Sequence, residues 1–505
     1  MDYGYDRDGL LVRAGDLTLT HDSANGFLLG TRLANITDEY TYNAFGEMTD
    51  YVAKYQGAEI YRVHQEMDGL GRITRKVAIV LGETHTYEYV YDQAGRLVDV
   101  YKDGVLVSHY DYDPNGNRLA HVTPSGTSYG TYDDQDRMLS YGDAVYEYTA
   151  NGELLRKTDT QGTTQYTYDV LGNLTSVVLP DGTRIDYVID GQNRRIGKKV
   201  NGVLVQGFLY QDGLEPIAEL DGAGNVVARF VYASRSHVPD YMIKNGVIYR
   251  IISDHLGSVR LVVDVATGQV VQRMEYDEFG NVILDTNPGF QPFGFAGGMY
   301  NPQIKLAKFG VRDYDAETGR WTRKDPARFS GGGLNFYKYC GNNPVNFVDP
   351  IGLWWGSGHG ALTREAIRRA GLSGIIDANA VVSANVTTDY RDSRNKFGYS
   401  PWRHFDNPLT RGDDRDLFAN KHLQAAIKAW KCGNKEEAYS HLGTGLHSLQ
   451  DKYAHPWYKW TVLHGIWKMA GFDPDNPEIN IGAFSNALDA SEDYLRRFAE
   501  AIGVY

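Results

Sequence analysis

The chain is poor in cysteine. Cys340 and Cys432 are the two that occur in 505 residues, too few for a disulfide framework, so both are expected as free thiols. Long apolar runs are missing as well, and nothing approaches the roughly eighteen consecutive apolar residues of a membrane helix. The first thirty residues, MDYGYDRDGLLVRAGDLTLTHDSANGFLLG, show no basic start followed by an apolar stretch, so no signal peptide is expected. An excess of positive charge is absent too. The net charge of −13 argues against the whole chain tracking along nucleic acid. That imbalance is local: residues 354–505 carry 18 basic and 18 acidic side chains, which leaves all the surplus acid in residues 1–353. The length and a hydrophobic content of 42% predict two or more well-packed domains rather than general disorder.

What the chain has in plenty is tyrosine, 37 residues, most of them before residue 354. They recur in units such as YEYVYDQAGRLVDVYKDG from Tyr87, YDYDPNGNRLAHV from Tyr110, YEYTANGELLRKTDTQG from Tyr146 and YTYDVLGNLTSVVLPDG from Tyr166. Each unit alternates through Tyr-x-Tyr, turns at Asn115-Gly116, Asn151-Gly152 or Leu171-Gly172, and alternates again until a second glycine turn such as Asp181-Gly182. Period-two alternation between such turns predicts antiparallel hairpins. Recurrence at roughly twenty residues predicts a stacked array of like units. Tyrosine suits these strands, its ring packing on neighbours while its hydroxyl is expected to stay in water.

The repeated Tyr-x-Tyr-Asp-x-x-Gly-x-Leu pattern resembles the YD repeats of Rhs and related toxin proteins. The resemblance implies a β-rich shell over residues 1–251 that encloses a toxin, with an N-terminal part of the shell either missing from a chain this short or supplied by another chain. Residues 252–353 depart from the repeat. They contain Asp254-His255-Leu256-Gly257-Ser258, YDEFGNV from Tyr276, FGFAGGMY from Phe293, RDYDAETGRWTRKDP from Arg312 and a final GGGLNFYKYCGNNPVNFVDPIGL. This stretch resembles the Rhs repeat-associated core, which plugs the shell and cuts its own chain after Asp-Pro-x-Gly-Leu as an aspartyl protease. The resemblance implies Asp325 and Asp349 as the catalytic pair, Arg312 as a supporting cation, and Leu353–Trp354 as the bond cut. Two close carboxylates share one proton, so one can act as acid while the other activates water. Asp325-Pro326 and Asp349-Pro350 also read as plain turn formers, and Asp313 and Asp315 compete for a catalytic role.

After Leu353 the tyrosine pattern stops and helical periodicity takes over. Helices are expected in ALTREAIRRAGL from Ala361, in DLFANKHLQAAIKAWKCG from Asp416 up to Gly433, from Lys435 to Tyr453, and from Ala483. The fold class expected is therefore multidomain: the β-rich shell and core, then an all-α C-terminal domain over 354–505. Seven of the 14 histidines fall in this last part. In GLHSLQDKYAHPWY, His447, Asp451 and His455 are spaced four apart, which puts them on one helix face and suits a divalent metal such as zinc.

With His359, Asp389, His404, His464 and Asp473 in order around it, the segment resembles the zinc-dependent phospholipase C and single-strand nuclease superfamily. The resemblance implies two or three Zn2+ ions held by Trp354, His359, Asp389, His404, His447, Asp451, His455, His464 and Asp473, with Asp389 alternatively a catalytic base. In that superfamily the tryptophan binds metal through a free amino terminus. A peptide nitrogen cannot do this, since its lone pair is delocalised, so a cut after Leu353 would both free this domain and create a ligand. His422 and His441 read as structural helix-face residues.

The expected substrate is a phosphodiester, attacked by a metal-activated water. A charge-neutral domain rich in aromatics, Trp354, Trp355, Phe405, Trp457, Trp460 and Trp467, favours phospholipid over nucleic acid. A zinc-dependent nuclease toxin and a non-enzymatic YD-repeat cell-surface protein are the alternatives. The Rhs resemblance further implies a cognate immunity protein, secretion-system or toxin-complex components as partners, export without a signal peptide, and action in or on a target cell.

Overall fold

In the computed structural model the described residues are 2–7, 9–44, 46–326, 334–353, 415–454 and 481–503, with a few positions between 363 and 381; side chains of the helical part are described for 419–446 and from 490 on. The chain divides into two compact units. One comprises Met1–Met67, Ile73–Pro326 and Asn335–Leu353; the other comprises Asp68–Arg72, Ala327–Leu334 and Trp354–Tyr505.

The first unit is a meander. Among the described residues, 28 strands from Tyr3 to Asp285 pair antiparallel, each with the next in sequence. A second sheet of four strands follows: Met299–Asn301, Leu306–Phe309, Arg312–Asp315 and Arg320–Trp321. The strand Val247–Ser253 runs through residues 251 and 252, so the meander continues into the region that departs from the repeat.

The repeated Tyr-Asp-x-x-Gly-Arg/Asn signature has a physical reason. In the turn after Tyr91, Asp92 Oδ1 accepts the backbone N–H groups of Ala94 and Arg96, both at 2.9 Å. Arg96 Nε then returns to Asp92 Oδ2 at 2.6 Å. Gly95 sits between them at φ +78°, a conformation that an L side chain resists. Asp133 with Arg137 and Asp190 with Arg194 repeat the clamp at 2.6 and 2.8 Å, and Asp169 with Asn173 gives its amide version at 2.9 Å.

The tyrosine hydroxyls depart from the expectation of hydration. Tyrosines at strand ends reach back to the preceding repeat: Tyr91 donates to Ile73 O at 2.6 Å, Tyr132 to Arg118 O at 2.7 Å, Tyr210 to Arg195 O at 2.9 Å and Tyr232 to Pro216 O at 3.0 Å. At these four positions tyrosine fastens a hairpin to the one before it.

The meander also comes round on itself. One core packs Leu17, Ile36, Tyr51 and Val63 with Val231, Ile252, Leu261 and Val263. Tyr55 donates to Ala266 O at 2.8 Å and Asn35 Nδ2 to Val265 O at 3.1 Å. Buried Arg250 bridges Asp38 and Asp240 across the same junction.

The second unit contains three described helices, α1 (Arg415–Lys431), α2 (Lys435–Ala454) and α3 (Ile481–Ile502). They fall where periodicity predicts them. Leu423, Ala426, Leu442, Leu446, Leu495 and Phe498 form their common core.

Candidate functional site around Leu353

The strand Arg312–Asp315, the segment after Trp321 and the Asp-Pro turn at Asp349 meet in the first unit. Arg312, Asp325 and Asp349 are 1%, 5% and 3% exposed, so their charges meet away from bulk water. Arg312 Nη2 stands 2.9 Å from Asp325 Oδ2 and 3.1 Å from Asp349 Oδ2. Its Nη1 donates to Phe336 O at 3.3 Å, and its Nε donates to the Gly352 carbonyl. On the other side, Asp349 Oδ1 accepts the N–H of Leu353 at 3.0 Å. The Gly352 carbonyl and the Leu353 N–H belong to one peptide group. Guanidinium and carboxylate thus grip the amide immediately before the Leu353–Trp354 bond.

Burial pushes the Asp349 carboxyl up to about 6, Arg312 opposing and Asp325 adding to the rise. A carboxylate in that range holds its proton for part of the time near neutrality, as an acid catalyst requires.

The residues between the catalytic candidates fix this geometry. Gly352 lies at φ +67°, and a Cβ there would come within 2.6 Å of Phe309 O and 2.8 Å of Arg312 N. Val311 N donates to Ile351 O at 3.0 Å, which lays residues 309–312 against residues 351–353. Trp321 lies under the Arg312 guanidinium at 4.1 Å. Cys340 is buried nearby, its thiol raised by burial and then by Asp349. Trp321 did not stand out in sequence, and Cys340 did so as a free thiol alone, which it is; nothing local marks either as a neighbour of this site.

The competing carboxylates are committed elsewhere. Asp313 pairs with Arg195 at 2.9 Å, and Asp315 accepts the Glu317 N–H at 3.1 Å. Asp325 and Asp349 are therefore the two brought to Arg312, and Asp349 also closes a turn like that of Asp92, its Oδ1 accepting the N–H four residues on.

The metal-ligand candidates are placed less fully. His447 and Asp451 lie four apart on α2, which puts them on one face, and their side chains lie outside the described residues. Trp354, His359, Asp389, His404, His455, His464 and Asp473 lie outside the described residues altogether. Among the described residues there is no group of three or more His, Cys, Asp or Glu side chains that could hold a metal. His422 on α1 and His441 on α2 meet with their Nδ1 atoms 3.1 Å apart, an imidazole contact that joins the two helices.

A tyrosine-stapled antiparallel meander leading into a segment of tight aromatic packing defines a YD-repeat shell protein. The chain belongs to the teneurin YD-shell family, whose model matches residues 1–345. Teneurin-3 of Mus musculus is 30% identical over 330 residues, 61% of this chain and 12% of that protein. The tRNA3(Ser)-specific nuclease WapA of Bacillus spizizenii is 27% identical over 273 residues, 52% of this chain and 12% of its own. The chain thus spans about an eighth of the length of these relatives. Among solved structures, the TcdB2-TccC3-Cdc42 complex matches with 18% identity and a TM-score of 0.37, covering 67% of this chain and 21% of that one.

Proposed function

We propose that this chain is a toxin of the YD-shell type that cuts itself after Leu353 and so releases residues 354–505. The reading rests on one observation: Arg312 and Asp349 hold the Gly352–Leu353 amide between them, with Asp325 on the same guanidinium. Asp325, paired with Arg312, takes a proton from water. That water adds to the Leu353 carbonyl carbon while Asp349 supplies a proton to the carbonyl oxygen. Asp325 then passes its proton to the Trp354 nitrogen, Asp349 takes one back from a hydroxyl of the tetrahedral intermediate, and the C–N bond breaks, leaving a carboxylic acid on Leu353 and an amine on Trp354. The amide before the scissile bond is immobilised throughout, which turns a slow hydrolysis into an oriented intramolecular one. The test is intact mass of the purified chain after denaturation. Breakage between Leu353 and Trp354, abolished in Asp349→Asn and in Asp325→Asn, is the expected result; an unbroken native chain overturns the reading.

The released part is, in this proposal, a zinc-dependent phosphodiester hydrolase of the phospholipase C kind. The donors would be the new Trp354 amino terminus, His359, Asp389, His404, His447, Asp451, His455, His464 and Asp473. His447 and Asp451 on one face of α2 fit such a role. Bound zinc would polarise the phosphodiester and acidify a bound water. A nuclease is the second reading, favoured by the match to a tRNA nuclease. Diacylglycerol release from liposomes against cleavage of RNA and single-stranded DNA separates the two. A toxin of this kind is paired with an immunity protein, exported with secretion-system or toxin-complex components, and acts in or on a target cell.

A further inference from the structure

The helices α1 and α2 meet through their apolar sides, Leu423 and Ala426 on one and Leu442 and Leu446 on the other. At the rim of that core, one residue before Leu423 and one before Leu442, stand His422 and His441. Both are half-buried, and their Nδ1 atoms are 3.1 Å apart. Gly445, one turn beyond His441, brings the two backbones close: a Cβ there would lie 3.2 Å from the His422 Cβ and closer still to the Tyr494 hydroxyl of α3. His422 is thereby pinned in the interface.

An imidazole nitrogen either carries a proton and donates or shows a lone pair and accepts. Two facing Nδ1 atoms at this distance need one of each. The surroundings assign the roles. His441 Nε2 stands 3.8 Å from the Glu437 carboxylate, one turn earlier on α2. A proton added at that nitrogen sits beside a negative charge and leaves the Nδ1 contact intact, so His441 is the donor across the interface. His422 is the acceptor, and a proton on its Nδ1 would set two N–H groups head to head. Among the described residues the other charged or titratable groups around the pair are Lys421 on α1 and, on α3, Tyr494 and Arg497, which donates to Asn420 Oδ1 at 2.6 Å. None of these three supplies a negative charge near neutrality. Burial pushes His422 down to about 4, with His441 and Lys421 adding to the fall. Burial lowers His441 too, against the pull of Glu437.

We propose that the His422–His441 contact is an acid-sensitive latch, closed at neutral pH and opened when His422 takes up a proton, so that α1 loosens from α2. The closed form holds His422 neutral, whereas an exposed imidazole protonates near 6.5. Its contribution is therefore complete above about 6.5 and is lost as pH falls from there toward about 4. The latch stands apart from the self-cleavage and zinc readings, since neither histidine belongs to those sites.

Hydrogen exchange of the full chain, read by mass spectrometry and corrected for the pH dependence of exchange itself, tests it. Protection of peptides covering 419–431 and 438–446 is expected to fall at least about tenfold between pH 6.5 and 4, while strands of the first unit such as Leu97–Lys102 keep theirs. His422→Gln, which retains an acceptor and takes up no proton, is expected to remove most of that fall. Protection that holds down to pH 4, a fall confined below pH 4 where carboxylates titrate, or an equal fall in folded His422→Gln each overturns the proposal. The first two are read on the native chain, so the outcome does not depend on the variant folding.

Discussion

Arg312 and Asp349 hold the two ends of one peptide group: the guanidinium Nε takes the Gly352 carbonyl and the carboxylate Oδ1 takes the Leu353 N–H at 3.0 Å. They also touch each other, 3.1 Å apart, so the grip closes on itself.

Removing either proton-transfer group stops self-cleavage on this account. Asp325→Asn and Asp349→Asn preserve shape and remove the ability to exchange a proton. Each is expected to slow cleavage by at least about 100-fold, the usual worth of an acid or base catalyst. The fraction of intact chain against time after refolding, read by denaturing electrophoresis, measures it.

The pH dependence has a defined sign. Asp349 acts while protonated, and its carboxyl is raised to about 6. Cleavage is therefore expected to be fastest below that value and to fall about tenfold per pH unit above it. The same shift favours the folded state: the native carboxyl keeps its proton where the unfolded one, near 3.9, has lost it. That stability is fully present below about 4 and is lost as pH rises through about 6. Urea midpoints of an uncut Asp325→Asn chain between pH 4 and 8 read it, and a midpoint that rose with pH across that window would contradict the assignment.

Gly352→Ala adds a methyl where the Phe309 carbonyl oxygen is 2.6 Å away and forces an L residue to φ +67°. A cost of about 1–3 kcal/mol is expected, with a displaced Leu353 amide and slower cleavage. Thermal unfolding in the Asp349→Asn background separates the stability loss from the rate.

The buried Arg250 joins strands far apart in sequence, bridging Asp38 and Asp240. Arg250→Met leaves two carboxylates without their cation and is expected to cost about 3–5 kcal/mol. Replacing Asp38 and Asp240 with Asn in the same chain is expected to recover part of that loss in equilibrium unfolding.

Chelation tests the C-terminal proposal. Hydrolytic activity of released residues 354–505 is expected to vanish with EDTA and to return with zinc. A variant blocked at Leu353 is expected to bind less zinc by atomic absorption, because its Trp354 nitrogen is still an amide. Equal zinc content in cut and uncut chains would remove the amino terminus from the ligand set.

The sequence by itself determined the local architecture of this protein. Tyr-x-Tyr alternation and glycine turns specify hairpins because strand period and turn conformation are set within a few residues, and the three described helices follow their own apolar period. Likeness to the repeat-associated core over residues 252–353 marked Asp325, Asp349 and Arg312. Tertiary structure alone decided the rest. Tyrosine hydroxyls find carbonyls fourteen to eighteen residues back, a distance that hides them from any local pattern. Asp313 and Asp315 look like equal rivals of Asp349 along the chain, and what separates them is Arg195, 118 residues away from Asp313. Arg195 and Lys308, which share Asp313, are remote in sequence and adjacent only once the strands have been laid in order. Charge pairing acts over a few ångströms of space and takes no account of distance along the chain.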